Sequence, residues 1–405
     1  MTSDSMFRLA IIGAGPVGLE VAAAASSRGY STVVLERGDL GQHVLDWGHV
    51  QLFTPFGMNA GTEGLRVLGE HGVVLPDDED FLTGAEFHAR FLVPLGEAVG
   101  RLVTVETATT VISVSRNHLL KGEAIGESER ARDCFRILCE TEGVEHVYEA
   151  EIVFDCSGTY GNPSWLGPGG GAALGERRFR SEIAYGLPDI LGADRHSYAG
   201  KHTLVVGDGY SAATSVLSLA RLAEQHPDST FHWATRGKMP YPVAPLSDDP
   251  LPARDDITRR ANALAVDPPP GCLWECDVEV VSIERPQPDG PFTVGLRNGT
   301  RVHTRSFDRI IANVGFEPDD SLYRQLQIHE CYASRGPIKV SAALMAASGD
   351  GPADCLSLGG FGPEVLINPE PNYFILGMKS YGKNSAFLLR TGYEQVADVF
   401  GMLNG

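Results

Sequence analysis

Two glycine-rich segments of this chain have the spacing that binds the phosphates of a dinucleotide. GAGPVG covers residues 13–18 and GDGYSA covers residues 207–212, and each follows an apolar run that indicates a buried strand. The first glycine of such a turn allows a tight bend, and the second lets the backbone approach a pyrophosphate. The third small residue lets the following helix pack closely on the sheet. The pattern therefore predicts two dinucleotide sites.

The residue that ends the next strand distinguishes the two sites. Residues 31–35 indicate a strand, and Glu36 follows it, where an acidic side chain commonly binds the ribose hydroxyls. The matching strand of the second copy, residues 229–234, leads to Arg236 instead of a carboxylate. Because a guanidinium binds a ribose 2′-phosphate that a carboxylate repels, the second site is predicted to favour NADPH over NADH. The alternative is a structural βαβ unit with an exposed arginine.

The elements around the two turns form an internal repeat. Each copy is a βαβ unit followed by a small antiparallel meander and a return strand, predicted at residues 152–158 and 310–315. A helix predicted over residues 386–403 closes the chain. The fold class is therefore predicted to be α/β, with two Rossmann-like, three-layer ββα dinucleotide-binding domains.

Length, charge and composition exclude several classes of protein. A chain of 405 residues indicates two or three domains. The net charge of −19 argues against nucleic acid and against an anionic membrane surface as partners. The N-terminus has no basic signal region, and no run of about 18 apolar residues occurs, so no membrane span is expected. Seven scattered cysteines suit a reducing compartment, and the expected location is the cytoplasm.

Cysteine and histidine spacings argue against two kinds of site. Flavin-dependent disulfide reductases need a CxxC or CxxxxC pair beside the flavin, where one thiolate attacks and the other resolves. Cys272 and Cys276, in CLWEC, come closest to this pattern, and their spacing is wrong. The histidine spacings match no ligand motif, so no metal is predicted.

Six segments together resemble the flavin monooxygenases and related two-dinucleotide flavoproteins. They are GAGPVG with Glu36, DWGHVQLFTPFGMN at residues 46–59, FLTGAEFHARFLVPLGEAV at residues 81–99, DCSGTYGNP at residues 155–163, GDGYSA with Arg236, and NVGFEPD at residues 313–319. The resemblance implies FAD in the first domain and NADPH in the second. It implies a small-molecule substrate and O2 as partners, and it is compatible with a homodimer.

The resemblance also implies that the second domain is inserted in the first. The FAD-binding domain is expected to comprise residues 1–165 and 335–405, and the NAD(P)H-binding domain residues 166–334. The glycine-rich residues 163–175 are then the linker between them.

Individual residues acquire candidate roles from the resemblance. Asn59 matches a family asparagine near the oxygen-reacting face of the flavin, and Trp47 would line the ring pocket; the alternatives are a turn residue and a core residue. Lys383 and Asn384 are candidate flavin contacts, because a helix start near Ser385 would direct its dipole at the flavin; a plain helix cap is the alternative. The expected cofactor-binding residues are Gly13, Gly15, Pro16, Gly18, Glu36, Arg37, Ser157, Gly158 and Ser385 for FAD, and Gly207, Gly209, Tyr210, Ser211 and Arg236 for NADPH.

One segment departs from the family pattern. The monooxygenase fingerprint FxGxxxH would fall at residues 179–185, but Ser181 replaces its glycine and Tyr185 its histidine. The first hypothesis is an NADPH-using, FAD-dependent monooxygenase that oxygenates a small metabolite through a flavin C4a-hydroperoxide. The second is a flavoprotein oxidase or NAD(P)H-dependent reductase without oxygen insertion. A third, of another class, is a nucleotide-binding redox sensor.

Overall fold

The chain folds into two compact units. The computed structural model describes residues 6–246, 249–348 and 361–403. One unit comprises the residues up to Asn162 and from Glu317 onward, and the other comprises Pro163–Phe316. The second unit is therefore inserted in the first, as predicted. The return to the first unit comes at Glu317 rather than at residue 335, because Leu322, Tyr323 and Leu326 pack in the core of that unit.

The N-terminal part of the first unit begins with a strand, a helix and a second strand around the first glycine turn. These are β1 (Met6–Ile12), α1 (Pro16–Ser27) and β2 (Thr32–Leu35). They are followed by α2 (Gln42–Asp46), α3 (Phe56–Asn59), α4 (Thr62–Glu70), α5 (Gly84–Phe87), a π-helical turn (His88–Leu92), α6 (Val93–Val99), β3 (Thr104–Glu106), β4 (Thr109–Arg116), α7 (Ser128–Arg132), β5 (Phe135–Thr141) and β6 (Val144–Asp155).

The second unit repeats the same order of elements. Its members are 3₁₀ turns at Pro168–Gly170 and Arg180–Glu182, α8 (Glu176–Phe179), α9 (Arg195–Tyr198), β7 (His202–Val206), α10 (Tyr210–Gln225), β8 (Thr230–Ala234), α11 (Pro252–Val266), β9 (Leu273–Glu275), β10 (Val278–Glu284), β11 (Phe292–Asn298), β12 (Arg301–Phe307) and β13 (Arg309–Ala312). The returning segment adds 3₁₀ turns at Ser321–Tyr323, Pro363–Leu366 and Gly377–Tyr381, together with α12 (Ile338–Ser348), β14 (Tyr373–Ile375) and α13 (Leu389–Leu403).

One long strand joins the parallel and antiparallel parts of the first sheet. The strand order is β3-β2-β1-β6-β5-β4, and β14 also pairs with β6. The first half of β6 pairs antiparallel with β5, and the second half pairs parallel with β1 and β14. The sequence predicted a meander strand followed by a separate return strand at residues 152–158, where the structure has β6 alone. In the second unit the parallel sheet has the order β13-β7-β8-β9, and β10-β11-β12 form a separate antiparallel sheet.

The alternation of β1 side chains shows the three layers. Leu9 and Ile11 face one core, which contains α1 and α13, whereas Ala10 and Ile12 face a second core on the meander side. In β7, Val205 faces the core on the side of α10 and α11, whereas Leu204 and Val206 face the core on the meander side. The predicted ββα arrangement is therefore confirmed in both units.

The two crossings between the units run beside each other. In the first unit the Glu317 N–H donates to the Asn162 carbonyl at 3.0 Å. In the second unit the Ser164 N–H donates to the Gly315 carbonyl at 3.0 Å, and Pro163 pairs with Phe316. The first unit therefore resumes close to the point where it is interrupted, and the second unit begins and ends at neighbouring positions.

A buried ionic cluster ties the returning segment to the antiparallel strands of the first unit. Glu370 contacts Arg116 Nε at 2.7 Å and Arg130 Nη2 at 2.7 Å, and the three side chains are at most 1% exposed. The Gln327 N–H also donates to Glu370. In the described part of the chain, no helix is long and apolar enough to cross a membrane.

Candidate functional site

The first glycine turn contains two glycines that the fold requires and one that faces open space. Gly13 has φ +98°, and a Cβ there would lie 2.8 Å from the Cys156 carbonyl oxygen. A Cβ at Gly18 would lie 1.9 Å from the Gly13 carbonyl oxygen. By contrast, a Cβ at Gly15 would meet no atom of the described residues within 4 Å. Gly13 and Gly18 therefore shape the turn, and Gly15 leaves room in front of it.

Helix α1 begins directly behind that room. Gly15 is its N-cap, and Pro16 occupies the first turn, where its missing N–H costs no helical hydrogen bond. The N-terminal N–H groups of a helix, together with its dipole, bind anions such as a phosphate. The first turn of α1 has no acidic side chain that would repel such an anion.

Glu36 lies against the glycine turn at the end of β2. Its Oε2 accepts the Ala14 N–H at 2.7 Å, and its Oε1 accepts the Gly38 N–H at 2.8 Å. Arg37 is exposed, and its Nη2 lies 3.4 Å from His43 Nε2. The carboxylate of Glu36 is thus fixed beside the first glycine turn, and the guanidinium of Arg37 lies beside Gly161.

The end of β6 brings a second glycine-containing turn beside the first. Gly158 has φ +68°, and a Cβ there would meet no described atom within 4 Å. Two polar atoms of this unit, Thr159 Oγ1 and Trp47 Nε1, are buried and have no hydrogen-bond partner among the described residues. Buried polar groups are nearly always hydrogen-bonded, so Thr159 Oγ1, which directly follows Gly158, fits a site completed by a ligand.

A buried ion pair at this strand end was missed by the sequence analysis. Lys379 Nζ lies 2.6 Å from Asp155 Oδ2, and both side chains are fully buried. Ser157, one of the expected FAD-binding residues, donates its hydroxyl to Asp155 Oδ1 at 2.6 Å. No local sequence pattern predicts this pair, because Asp155 and Lys379 are 224 positions apart.

Asn59 has its amide group engaged within its own segment. Its Nδ2 donates to the carbonyls of Thr54 and Pro55 at 2.9 and 3.0 Å, and its Oδ1 accepts from Thr54 Oγ1 at 2.8 Å. Its carbonyl accepts the Tyr393 hydroxyl at 2.7 Å. These contacts fit the structural alternative for Asn59, a turn residue. Trp47 packs on the core of the first unit through its ring.

The closing helix does not start near Ser385, so the expectation of a helix dipole there is wrong. Helix α13 begins at Leu389. Asn384 Oδ1 instead accepts the Ala386 N–H at 2.9 Å in a local turn, and Phe387 packs edge-on against Tyr381. Lys383 Nζ pairs with Glu317 Oε2 at 3.1 Å. Residues 383–387 are therefore a loop held by side-chain contacts.

The second glycine turn repeats the geometry of the first. Gly207 has φ +136°, and a Cβ there would lie 2.1 Å from the Asn313 carbonyl oxygen. A Cβ at Gly209 would meet no described atom within 4 Å. Gly209 is the N-cap of α10, whose first residues are Tyr210 and Ser211. Trp233 Nε1 donates to the Gly207 carbonyl at 2.8 Å and holds the turn to the end of β8.

Cationic side chains follow β8. Arg236 is exposed, and Lys238 Nζ lies 3.5 Å from Asp277 Oδ2. Ala234 ends β8 and pairs with Val206, the last residue of β7, so Arg236 comes two residues beyond the sheet edge that carries the second glycine turn. This edge, at the carboxyl ends of parallel strands, is where ligands of such sheets bind.

The altered fingerprint segment has a structural role in the second unit. Tyr185 donates its hydroxyl to Glu176 Oε1 at 2.7 Å, and the fully buried Glu176 also accepts the N–H groups of Leu166 and Ala173. Ser181 lies in the 3₁₀ turn Arg180–Glu182.

The described cysteines offer no redox pair of the reductase type. Cys272 and Cys276 flank the extended strand β9, so about 13 Å of chain separates them, too far for a disulfide. Cys156 lies behind the first glycine turn, and burial raises the pKa of its thiol well above the ordinary value. A thiol of this kind is a poor nucleophile.

Solved structures with the same fold include both disulfide reductases and hydroxylases. Bacillithiol disulfide reductase from Bacillus cereus aligns with 98% of this chain and 99% of its own, with a TM-score of 0.68 and 16% identity. Ornithine N-hydroxylase from Kutzneria sp. 744, in a complex with reduced FAD, NADP+ and L-ornithine, covers 99% of both chains, with a TM-score of 0.65 and 15% identity. Thioredoxin reductase from T. acidophilum covers 99% of both chains, with a TM-score of 0.60 and 14% identity. No protein-family model and no curated protein sequence matches the chain.

Proposed function

We propose that this protein is an FAD-dependent oxidoreductase that uses NADPH and oxygenates a small molecule with O2. The observation that carries the proposal is the pair of glycine turns, each at the carboxyl edge of a parallel sheet and each with a glycine facing open space. Glu36 beside the first turn and Arg236 beyond the second favour different nucleotides for the two sites.

The residues of the first unit fit FAD. Gly15 and Gly158 face open space, and the N-terminus of α1 would supply N–H groups to a pyrophosphate bound there. Glu36 would bind the ribose hydroxyls in exchange for part of its present hydrogen bonding to Ala14 and Gly38. Thr159 Oγ1, which follows Gly158 and is buried without a partner among the described residues, would hydrogen-bond to the cofactor.

The residues of the second unit fit NADPH. Gly209 opens the space over the N-terminus of α10, where Tyr210 and Ser211 begin the helix. Arg236 is exposed and would bind the 2′-phosphate, which distinguishes NADPH from NADH. When bound, the two cofactors supply hydride transfer from nicotinamide to flavin and electron transfer from flavin to oxygen.

Two observations bear on the competing reactions. The described cysteines include no pair suited to disulfide exchange, which favours oxygen over a disulfide as the electron acceptor. Tyr185 is held by Glu176 in the segment where the monooxygenase fingerprint would lie, which favours the second candidate, an oxidase or NAD(P)H-dependent reductase without oxygen insertion.

The test measures flavin reduction, oxygen consumption and hydrogen peroxide release by the purified holoprotein. Anaerobic mixing with NADPH is expected to bleach the flavin absorbance rapidly. In a separate assay in air-saturated buffer, a candidate amine or sulfur compound is expected to raise oxygen consumption without equal release of hydrogen peroxide. Equal release of peroxide with every compound would favour the oxidase or reductase. Flavin that neither NADPH nor NADH reduces would contradict the use of the second site.

A further inference from the structure

We infer that Lys379 is a positioning residue of the first dinucleotide site, which acts through Asp155 to hold the Ser157–Gly158 turn beside the first glycine turn. The inference deepens the proposed function and rests on it, because it assigns that turn to FAD. Neither Lys379 nor Asp155 belongs to a sequence motif of the site.

The contacts give the Ser157 hydroxyl a single orientation. Lys379 Nζ lies 2.6 Å from Asp155 Oδ2 and donates to Ser157 Oγ at 3.0 Å. Ser157 Oγ donates to Asp155 Oδ1 at 2.6 Å, and the Ser157 N–H lies 3.2 Å from the same oxygen. The hydroxyl thus accepts from one member of the pair and donates to the other.

The pair lies where three chain segments meet at the cofactor edge of the sheet. Asp155 ends β6 and pairs with Ile12, the last residue before the first glycine turn. The Leu376 N–H donates to the Asp155 carbonyl at 3.0 Å. A Cβ at Gly377 would lie 3.2 Å from Val17 in the first turn of α1. A change at Lys379 therefore acts directly on the β6 end, and it lies two residues from the contact between Gly377 and α1.

The surroundings leave the two charges dependent on each other. Tyr373 donates its hydroxyl to Asp155 Oδ2 at 3.1 Å, and the Tyr323 ring lies 5.0 Å from Lys379 Nζ. Tyr323 itself donates to Glu330, and the partly buried Cys156 is the next residue in the chain after Asp155. A buried ion pair often adds no stability over apolar residues, whereas removal of one partner is strongly destabilising. A pair kept at this position is explained better by the geometry that it imposes on Ser157 and Gly158.

The experiment measures FAD affinity of the full-length unliganded protein by fluorescence titration. Lys379→Met leaves the Asp155 carboxyl buried without its cation and removes the donor to Ser157 Oγ. We expect its FAD dissociation constant to rise by about tenfold or more. The double variant Asp155→Asn/Lys379→Met removes both charges and is expected to bind FAD more tightly than Lys379→Met. Lys339→Met, an exposed lysine of α12, is the matched control.

Three outcomes decide the question. Wild-type FAD affinity of Lys379→Met would overturn the inference. If Lys379→Met does not fold, Lys379→Gln retains a hydrogen-bond donor without the charge and must show the same loss of affinity. Wild-type protein that binds no FAD would contradict the proposed function instead. Amide hydrogen exchange in residues 155–160 of the unliganded protein then tests the pair alone: faster exchange in Lys379→Met supports it, and unchanged exchange overturns it.

Discussion

Replacement of Gly15 by alanine should separate the stability of the fold from the binding of the cofactor. Gly15 has φ −78° and ψ −175°, a conformation that alanine adopts without strain. Its added methyl would meet no described atom within 4 Å. The poorer N-cap costs about 1 kcal/mol, and the lower entropy of the unfolded chain offsets about 0.4–1 kcal/mol. The free energy of unfolding should therefore change by less than about 1 kcal/mol.

The same methyl occupies the space through which a pyrophosphate must approach the backbone. Insertion of a methyl group into a close contact costs about 1–3 kcal/mol. The dissociation constant for FAD should therefore rise about 5- to 150-fold in Gly15→Ala. Fluorescence titration with FAD measures the affinity, and thermal unfolding of the unliganded protein measures the stability.

Gly18→Ala is the control that the structure provides. Its Cβ would lie 1.9 Å from the Gly13 carbonyl oxygen, so the backbone must shift before any ligand is considered. This variant should lose thermal stability without FAD. The reasoning is refuted if Gly15→Ala binds FAD as tightly as the wild type, or if it loses as much stability as Gly18→Ala.

Three further predictions concern the second site, the thiol chemistry and the core. Arg236→Ala should raise KM for NADPH about 10- to 100-fold and leave KM for NADH nearly unchanged, because it removes a charge-assisted contact to the 2′-phosphate; equal steady-state effects on both coenzymes would contradict this. Because burial raises the pKa of Cys156, iodoacetamide should leave that thiol unmodified at about pH 8, even after the protein has been reduced with NADPH. Peptide mass spectrometry measures the alkylation. Alkylated Cys156 after reduction would favour a thiol-dependent reductase. Glu370→Gln leaves two buried arginines unpaired and should cost about 3–5 kcal/mol, or roughly 6–20 °C in Tm, by differential scanning fluorimetry. The exposed Glu364→Gln is its control, and equal Tm values for the two variants would rule out the ionic cluster as the reason.

The glycine turns were predictable because their requirements are local. A backbone at positive φ favours glycine at Gly13 and Gly207 through the local conformation alone, and the carbonyl oxygens of Cys156 and Asn313 then leave no room for a Cβ. The flanking strands are short apolar runs with buried residues on both faces, as in β1 and β7. The order of these strands along the chain in the two units was predicted from the internal repeat.

Contacts between distant segments were not predictable in this way. The Lys379–Asp155 pair depends on β14 entering beside β6, a register that neither segment specifies alone. Residues 117–133 are charged and rich in turn residues, a composition typical of an exposed extension, yet the segment carries the buried Arg130. The start of the closing helix was misplaced because the Asn384 side chain forms a local turn that competes with helix formation.

The adjacency of the two crossings makes the inserted unit a separable module. Asn162 and Glu317 are joined by a backbone hydrogen bond, so a short peptide linker between them would close the first unit without the second. Pro163 and Phe316 likewise put both ends of the inserted unit at one place. Domain insertion and exchange are tolerated where the ends of a unit lie close together. Under the proposed function, replacement of this one continuous stretch of chain would change the coenzyme, while the strands and helices around the first glycine turn keep their sequence.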